Sequence, residues 1–206
     1  MTDHVEVTGS GAASAVPDVV VLDARVQCDA PDVAGALSAA TDRVVAALQA
    51  AGDHGVADRD RRTTGMGVST RWDREGRGVV GYTAHQSLRL LVRDRERVGD
   101  LIQSLAGAAG DAFGLDAVTL EVADPAPLLD RARTTAFEDA RAKAEQFAGL
   151  AGRPLGPVLR VTEDHDRAQP MPRFAATAAI EVGGGMPVEA GESTVTASVT
   201  VRFGLG

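Results

Sequence analysis

Residues 124–151 read DPAPLLDRARTTAFEDARAKAEQFAGLA and predict the most regular helix of the chain. Asp124 is suited to cap this helix, and Pro125 to occupy its first position, where a missing N–H group costs little. Apolar side chains recur at helical spacing along one stripe, formed by Leu129, Ala132, Ala136, Ala140, Phe147 and Ala151. Because alanine is small, the stripe predicts a close approach of this helix to a β-sheet.

Polar residues occupy the other faces of the helix, among them Asp139 and Lys143, which are spaced as an i,i+4 ion pair. Such a pair stabilises a helix by only about 0.2–0.5 kcal/mol, so burial of the alanine stripe has to supply most of the stability. Lys143 is the only lysine in a chain that has 21 basic residues. We expect it to hold a salt bridge or an interface contact and not to form a covalent intermediate.

Seven other segments are predicted as strands, and in several of them apolar and polar residues alternate with the period of two that is typical of half-buried strands. They cover residues 5–7, 20–28, 63–72, 79–92, 118–122, 155–161 and 195–203. Gly9-Ser10-Gly11 and Pro17-Asp18 predict turns between the first two strands. The charged, glycine-containing segment 73–78 predicts a projecting hairpin loop.

Two further helices are predicted. The first spans about residues 29–52 with Asp29 as its cap, and the second begins at Asp94 and ends near Gly107. Strands outnumber helices, so we predict an α+β fold with mainly antiparallel sheets and helices packed on one face. We expect one domain over residues 1–206, with two subdomains as an open alternative, and an irregular or flexible connection over residues 164–192.

Composition limits the classes of function. The chain has 206 residues, 44% of them hydrophobic, and a formal net charge of −8 from 21 basic and 29 acidic residues. This acidic balance is unfavourable for a nucleic-acid partner. No apolar run approaches the roughly 20 residues that a membrane-spanning helix needs, so membrane insertion is not expected. The first residues carry no signal-peptide pattern, which predicts a cytoplasmic protein, with export as the alternative if a leader has been removed.

The residues that could carry chemistry each fit a structural interpretation better. Gly9-x-Gly11-x-x-Ser14 is followed by another strand and not by the helix that a phosphate-binding loop requires. The acidic segment 163–166 predicts a solvated loop, and adjacent residues of an extended chain rarely enclose an ion. The lone Cys28 lies on an apolar strand face, where cysteine behaves as a small hydrophobic residue. We therefore expect no catalytic, cofactor-binding or metal site, no cofactor, and no enzymatic activity.

Short motifs in a characteristic order resemble the SIMPL-domain family, also called DUF541, over nearly the whole chain. They comprise Gly9 and Gly11, Pro17-Asp18, Asp60, Thr63, Gly81-Tyr82-x-Ala84-x-Gln86, Ala136-x-x-Asp139-Ala140-x-x-Lys143-Ala144, Gly152, Leu155-Gly156 and the segment 188–192. The chain departs from the family pattern at Arg61, where an apolar residue is usual, and at Ala190, where a proline is usual.

The resemblance implies an α+β fold, a tendency to form large homo-oligomers, no established enzymatic activity and a link to envelope or oxidative-stress physiology. We therefore expect a non-enzymatic, self-assembling protein with a structural or stress-related role. The alternative is a small-molecule-binding protein or an enzyme whose site is assembled only by the fold.

The partner expected is a second copy of the chain. Large apolar side chains dominate interface energetics, so the expected contacts lie in or beside the two long non-core segments 73–78 and 164–192. The candidate contact residues are Trp72, Met171, Phe174, Ile180 and Met186.

Overall fold

The computed structural model of the protein describes residues 3–163, 171–173, 179–182, 186–189 and 191–206. The helices are α1 (Val33–Asp53), α2 (Val98–Ala109) and α3 (Ala126–Leu150). The strands are β1 (His4–Ala15), β2 (Val19–Ala30), β3 (Arg61–Trp72), β4 (Val79–Val92), β5 (Phe113–Glu121), β6 (Leu155–Glu163), β7 (Met171–Arg173), β8 (Ala179–Val182), β9 (Met186–Glu189) and β10 (Glu192–Leu205). Strand pairing among the described residues is antiparallel, which confirms the predicted α+β class.

The chain divides into two compact units. The first comprises Met1–Pro17, Val122–Thr177 and Ala190–Gly206, and the second comprises Asp18–Glu121 and Ala178–Glu189. The first unit holds a sheet in the order β1-β10-β6, with β7 also paired to β10, and the helix α3. The second unit holds a sheet in the order β3-β4-β2-β5, the hairpin β8-β9, and the helices α1 and α2.

In the second unit, α1 and α2 cover one face of the sheet. As predicted, alternate residues of β4 lie on this face: Ala84, Leu88, Leu90 and Val92 are buried. They join a core with residues of β2, α1 and α2, among them Leu22, Val26, Val44, Leu101 and Leu105. The cap of α1 differs from the prediction, because Asp32 accepts the hydrogen bond from the backbone of Gly35 at 2.8 Å.

In the first unit, α3 lies across β1 and β10 with its alanine stripe against the sheet. The buried residues of the helix are Leu128, Ala132, Ala136, Ala140, Ala144 and Ala148. The prediction was right for Ala132, Ala136 and Ala140, but wrong at the helix end, where Phe147 is 52% exposed. The stripe continues in steps of four residues through Ala144 to Ala148, so Phe147 falls beside the buried stripe.

The predicted turn at Gly9-Ser10-Gly11 is wrong, because all three residues lie inside β1. Both glycines face α3. A Cβ atom at Gly9 would overlap the backbone oxygen of Ala136, and one at Gly11 would overlap the backbone oxygen of Ala132. These glycines therefore allow the helix backbone to approach the strand, which is a role unrelated to turn formation.

Arg61, which departs from the family pattern, binds backbone carbonyl groups in and just after the last turns of α1. Its guanidinium group donates to the backbone oxygen of Val56 at 2.8 Å and of Leu48 at 3.1 Å, and pairs with Asp58 at 3.1 Å. A side chain at Gly52 would collide with this guanidinium group, so Gly52 leaves the space that Arg61 fills. The arginine thus satisfies carbonyl groups at a partly buried position.

We expect Arg61→Met to lower the free energy of unfolding by about 2 kcal/mol, because hydrogen bonds from a charged donor contribute about 1.5–3 kcal/mol. Urea denaturation measures the change. Arg62→Met is the matched control, since the neighbouring Arg62 is exposed. Equal midpoints for the two variants would contradict the role assigned to Arg61.

Candidate functional site

The open edge of the second unit's sheet is the candidate site. Among the described residues, β3 pairs with β4 alone, so its other side is an edge. The pairing runs without a register shift from Gly65 to Arg71, opposite Ser87 to Gly81. Native proteins usually shorten, charge or cover such an edge, because unpaired N–H and C=O groups attract further strands.

Three large apolar side chains are exposed on β3: Met66 at 73%, Trp72 at 58% and Val68 at 40%. We call these three residues the β3 patch. Val79 and Val80, at the start of the neighbouring strand β4, are exposed as well. Several large apolar side chains exposed along one edge strand are suited to an interface, where they would be removed from water.

Sheet order explains why the β3 patch is uncovered. Met66 and Val68 pair with Gln86 and Ala84 of β4 and therefore share the face on which the helices pack. Ala84 is buried against Ala36 and Ala40 of α1. The helix thus covers β4, whereas the edge strand β3 beside it keeps Met66 and Val68 accessible.

The hairpin loop 73–78 that follows the β3 patch is stabilised by hydrogen bonds within the loop. The backbone N–H of Asp73 donates to the backbone oxygen of Gly78, and the backbone N–H of Gly76 donates to the backbone oxygen of Asp73. The carboxylate of Asp73 accepts from the backbone N–H of Arg77 at 2.7 Å. Gly76 has φ of +69°, which favours glycine. The predicted loop 73–78 is therefore confirmed as the connection between β3 and β4, and it holds Trp72 at the end of the sheet.

The opposite face of this sheet is polar and internally paired. Arg89 forms two hydrogen bonds of 2.8 Å with Asp23, and this contact with Arg89 is the main reason why the pKa of Asp23 is lowered. Asp29, predicted as a helix cap, instead accepts from Thr83 at 2.6 Å and pairs with Arg71 at 2.9 Å. Cross-strand ion pairs therefore neutralise charged groups of this face.

A depression of ≈ 550 Å³ lies on the strands β2 and β5. Its lining includes Arg25, Gln27, Asp29, Asp111, Phe113 and Asp116. Arg25 and Asp116 are held to each other by a 2.8 Å ion pair. Their charges are thus engaged within the protein and not directed at a common point in the depression.

The residues considered for chemistry are dispersed. Cys28 is partly buried among alanines, and this burial raises the pKa of its thiol, which favours the uncharged form. Glu163 forms two hydrogen bonds with Arg133, and residues 164–166 lie outside the described residues. Within the described ranges, no three metal-ligating side chains come together.

The predicted oligomer contacts do not all belong to the same unit. Trp72 ends β3, and Ile180 and Met186 lie in the hairpin β8-β9 of the same unit. Met171 lies in β7 of the first unit, and Phe174 lies outside the described residues. Only the backbone is described for residues 171, 180 and 186, so their part in an interface stays a prediction.

Met66 and Val68 were missed by the sequence reasoning. Residues 63–72 were predicted only as a strand, although the alternation of large apolar residues with glycine in Gly65-Met66-Gly67-Val68 was an available signal. Two contacts of α3 were missed as well: Asp139 and Lys143 hydrogen-bond to the backbone of β1. The sequence had indicated only their ion pair, which the structure confirms at 2.7 Å.

The chain is similar to proteins of the bacterial envelope and to proteins without an assigned function. It is 28% identical to the 26 kDa periplasmic immunogenic protein of Brucella melitensis, over 97% of this chain and 84% of that protein. It is 27% identical to the uncharacterized protein YggE of Escherichia coli, over 82% of this chain and 69% of that protein. No helix in the described ranges combines the length and the apolar character needed to cross a membrane.

A solved structure titled the crystal structure of AtUAH in complex with (S)-hydroxyglycine matches 55% of this chain and 30% of that chain, at 13% identity and a TM-score of 0.28. A likeness this weak supports no conclusion about fold or activity.

The decisive comparison is with a family model. The model described as SIMPL, protein of unknown function (DUF541), matches residues 5–203. This range includes all three helices and the antiparallel sheets of both units. The chain therefore belongs to the SIMPL (DUF541) family, as the order of its motifs predicted.

Proposed function

We propose that the protein is a non-enzymatic, self-assembling protein whose copies associate through the open edge of β3. The observation that carries the proposal is that the outer edge of β3, which no other described strand pairs with, bears the exposed side chains of Met66, Val68 and Trp72. Strand addition at such an edge gives affinity through backbone hydrogen bonds and specificity through alternate side chains.

Association at β3 removes two unfavourable features at once. Backbone groups on the edge gain partners in place of water, and the apolar side chains leave water, which stabilises by about 25 cal/mol per Å² of buried apolar surface. Trp72 strengthens the proposal, because tryptophan is enriched among the residues that contribute most to interface affinity.

The pairing of charged groups supports the non-enzymatic part of the proposal. Around the depression on β2 and β5, Arg25 is held by Asp116, and Asp29 is held by Arg71 and Thr83. A catalytic acid or base needs a titratable group directed at substrate. These groups instead hold neighbouring strands together.

We propose further that the protein acts in the cell envelope as a structural component. The relatives from Brucella melitensis and Brucella abortus are named as periplasmic proteins, and the chain is 28% identical to each over 97% of its length. These relatives do not support the cytoplasmic location expected from the first residues, and they favour the exported alternative.

The test of assembly is a double variant of the patch, Met66→Lys with Val68→Lys, compared with the unmodified protein by sedimentation velocity. Lysines on an edge strand oppose strand addition. We expect the unmodified protein to sediment as an oligomer at micromolar concentration and the double variant to sediment as a monomer. The single tryptophan, Trp72, gives a second readout, because its emission shifts to shorter wavelength when assembly removes water from the indole.

Val45→Lys with Leu150→Lys is the matched control, since it adds the same charges at two other exposed apolar residues, both on helices. We expect this control to keep the mass of the unmodified protein. A patch variant that keeps the oligomer while folding normally would exclude the β3 edge as the contact.

A further inference from the structure

The outer edge of β1 in the first unit is closed by side chains of α3. In the described part of the chain, β1 pairs on one side only, with β10. On the other side, the carboxylate of Asp139 accepts from the backbone N–H of Ser10 at 2.8 Å, and Lys143 donates to the backbone oxygen of Thr8 at 3.0 Å. Arg131 donates to the backbone oxygen of Ser14 at 3.2 Å. Three backbone groups of this edge thus have partners that are not another strand.

This arrangement is possible because four residues of a helix and two residues of a strand advance by nearly the same distance. Four residues of a helix advance about 6 Å, and two residues of a strand advance about 6.6 Å. Lys143, Asp139 and Arg131 therefore meet Thr8, Ser10 and Ser14 in reverse order along the edge. Each polar residue directly precedes an alanine of the buried stripe, namely Ala144, Ala140 and Ala132. The close approach at Gly9 and Gly11 brings these side chains within hydrogen-bonding distance of the strand.

The carboxylate of Asp139 and the ammonium group of Lys143 also form an ion pair with each other. Asp139 and Lys143 are joined at 2.7 Å, and both side chains are only partly exposed. The pKa of Asp139 is lowered, first by the hydrogen bond from Lys143 and then by that from the backbone of Ser10. The carboxylate is thus held in its charged form, in which it accepts both bonds.

Lys143, which contacts the edge of β1, is the only lysine of the chain. A second ion pair on α3, between Arg141 and Glu145 at 3.0 Å, has the same i,i+4 spacing, and no hydrogen bond to β1 is seen for it among the described residues. The two pairs share this spacing but have opposite charge order along the helix, and each contributes only a few tenths of a kcal/mol to helix stability. Contact with the strand edge distinguishes the Asp139–Lys143 pair.

We propose that Asp139 and Lys143 are an edge lock: they keep the outer edge of β1 closed to strand addition, and without them β1 pairs antiparallel with β1 of a second copy. Between Thr8 and Ser14, the residues whose backbone faces this edge have small side chains, Thr8, Ser10, Ala12 and Ser14, so over this stretch no bulky side chain of β1 separates two such edges. Antiparallel pairing around a two-fold axis offers the N–H of Ser10 and the oxygen of Thr8 the same kind of partner they lose. The lock therefore restricts association to other surfaces of the chain.

The experiment removes the lock and measures mass. Asp139→Ala with Lys143→Met is compared with Arg141→Met with Glu145→Ala, which removes the Arg141–Glu145 ion pair of α3 at unchanged net charge. By sedimentation velocity, we expect the lock variant to show at least twice the mass of the unmodified protein, because two-fold pairing at β1 joins each copy to a further copy. We expect the control variant to keep the unmodified mass.

A third change tests whether β1 is the contact. Proline at position 10 removes the N–H group that an added strand would bind. In the lock variant this substitution breaks no further hydrogen bond, because the Asp139 carboxylate that accepts from this N–H group is already absent. We expect Ser10→Pro in the lock variant to restore the unmodified mass. A mass that stays raised in this triple variant would overturn the assignment to β1.

Two other outcomes would overturn the proposal: a folded lock variant with unchanged mass, and an equal rise in mass for the control variant. If circular dichroism shows the lock variant to be unfolded, Lys143→Met alone is tested in the same way against Arg141→Met. Each comparison is made relative to the unmodified protein. The result is therefore independent of whether unmodified copies associate through β3.

Discussion

Gly9→Ala is expected to lower the free energy of unfolding by about 3 kcal/mol, the upper end of the usual range for an overpacked contact. The added Cβ atom would overlap the backbone oxygen of Ala136 and lie 2.7 Å from the Cβ atom of Ala140. Non-bonded atoms essentially never approach a Cβ atom closer than 3.0 Å. A backbone atom has no rotamer by which to move away, so α3 as a whole must shift from the sheet.

Urea denaturation of Gly9→Ala and Gly65→Ala measures this effect. Gly65 is the matched control, because it also lies in a strand and a Cβ atom there would meet no atom within 4 Å. We expect Gly65→Ala to leave stability unchanged or to raise it slightly, since alanine reduces the entropy of the unfolded chain. Similar midpoints for the two variants would show that α3 does not lie against Gly9.

Ala140→Leu is expected to destabilise the protein by a similar amount, about 3 kcal/mol, from the other side of the same contact. Ala140 is completely buried at the centre of the stripe. Leucine and alanine have nearly the same helix propensity, so loss of stability would report packing and not helix formation.

The matched control is Ala142→Leu, two residues further along α3, where the side chain is exposed. Thermal and urea unfolding of the two leucine variants give the comparison. We expect Ala142→Leu to stay within about 0.5 kcal/mol of the unmodified protein, as surface substitutions usually do. Equal stability of both variants would place Ala140 outside the helix–sheet contact.

The helix stripe was predictable because its period is local. Ala132, Ala136 and Ala140 follow from helical spacing alone, and their small size correctly indicated a close approach to a sheet. The partner of that approach was not predictable. Gly9 and Gly11 lie more than 120 positions away from the alanines they contact, so glycine was interpreted by its local role in turns. The sequence alone does not distinguish a glycine in a turn from a glycine in a strand that allows a distant helix to approach.

The candidate site was only partly predictable for a related reason. The sequence correctly predicted a strand over residues 63–72, and the charged loop 73–78 correctly predicted the hairpin that follows Trp72. Whether Met66 and Val68 are covered depends on the order of strands in the sheet and on the width of α1. Neither quantity is encoded locally, so only the fold reveals that β3 is the edge strand.

Arg61 and Lys143 illustrate the same limit for polar residues. Arg61 departs from the family pattern, and its reason is a pair of carbonyl groups at the end of α1. Lys143 matches a family motif, and its second partner is the backbone of β1. Sequence spacing finds the partner of a side chain within one helix, whereas contacts with a distant backbone require the structure.

The most direct test of the account is the mass of the unmodified protein in solution, measured by light scattering across micromolar concentrations. Self-assembly through the open edge of β3 predicts a mass that is a multiple of the 21.3 kDa chain. It also predicts that the emission of Trp72 shifts to shorter wavelength as the mass rises. A mass of 21.3 kDa throughout this range would contradict the proposed function.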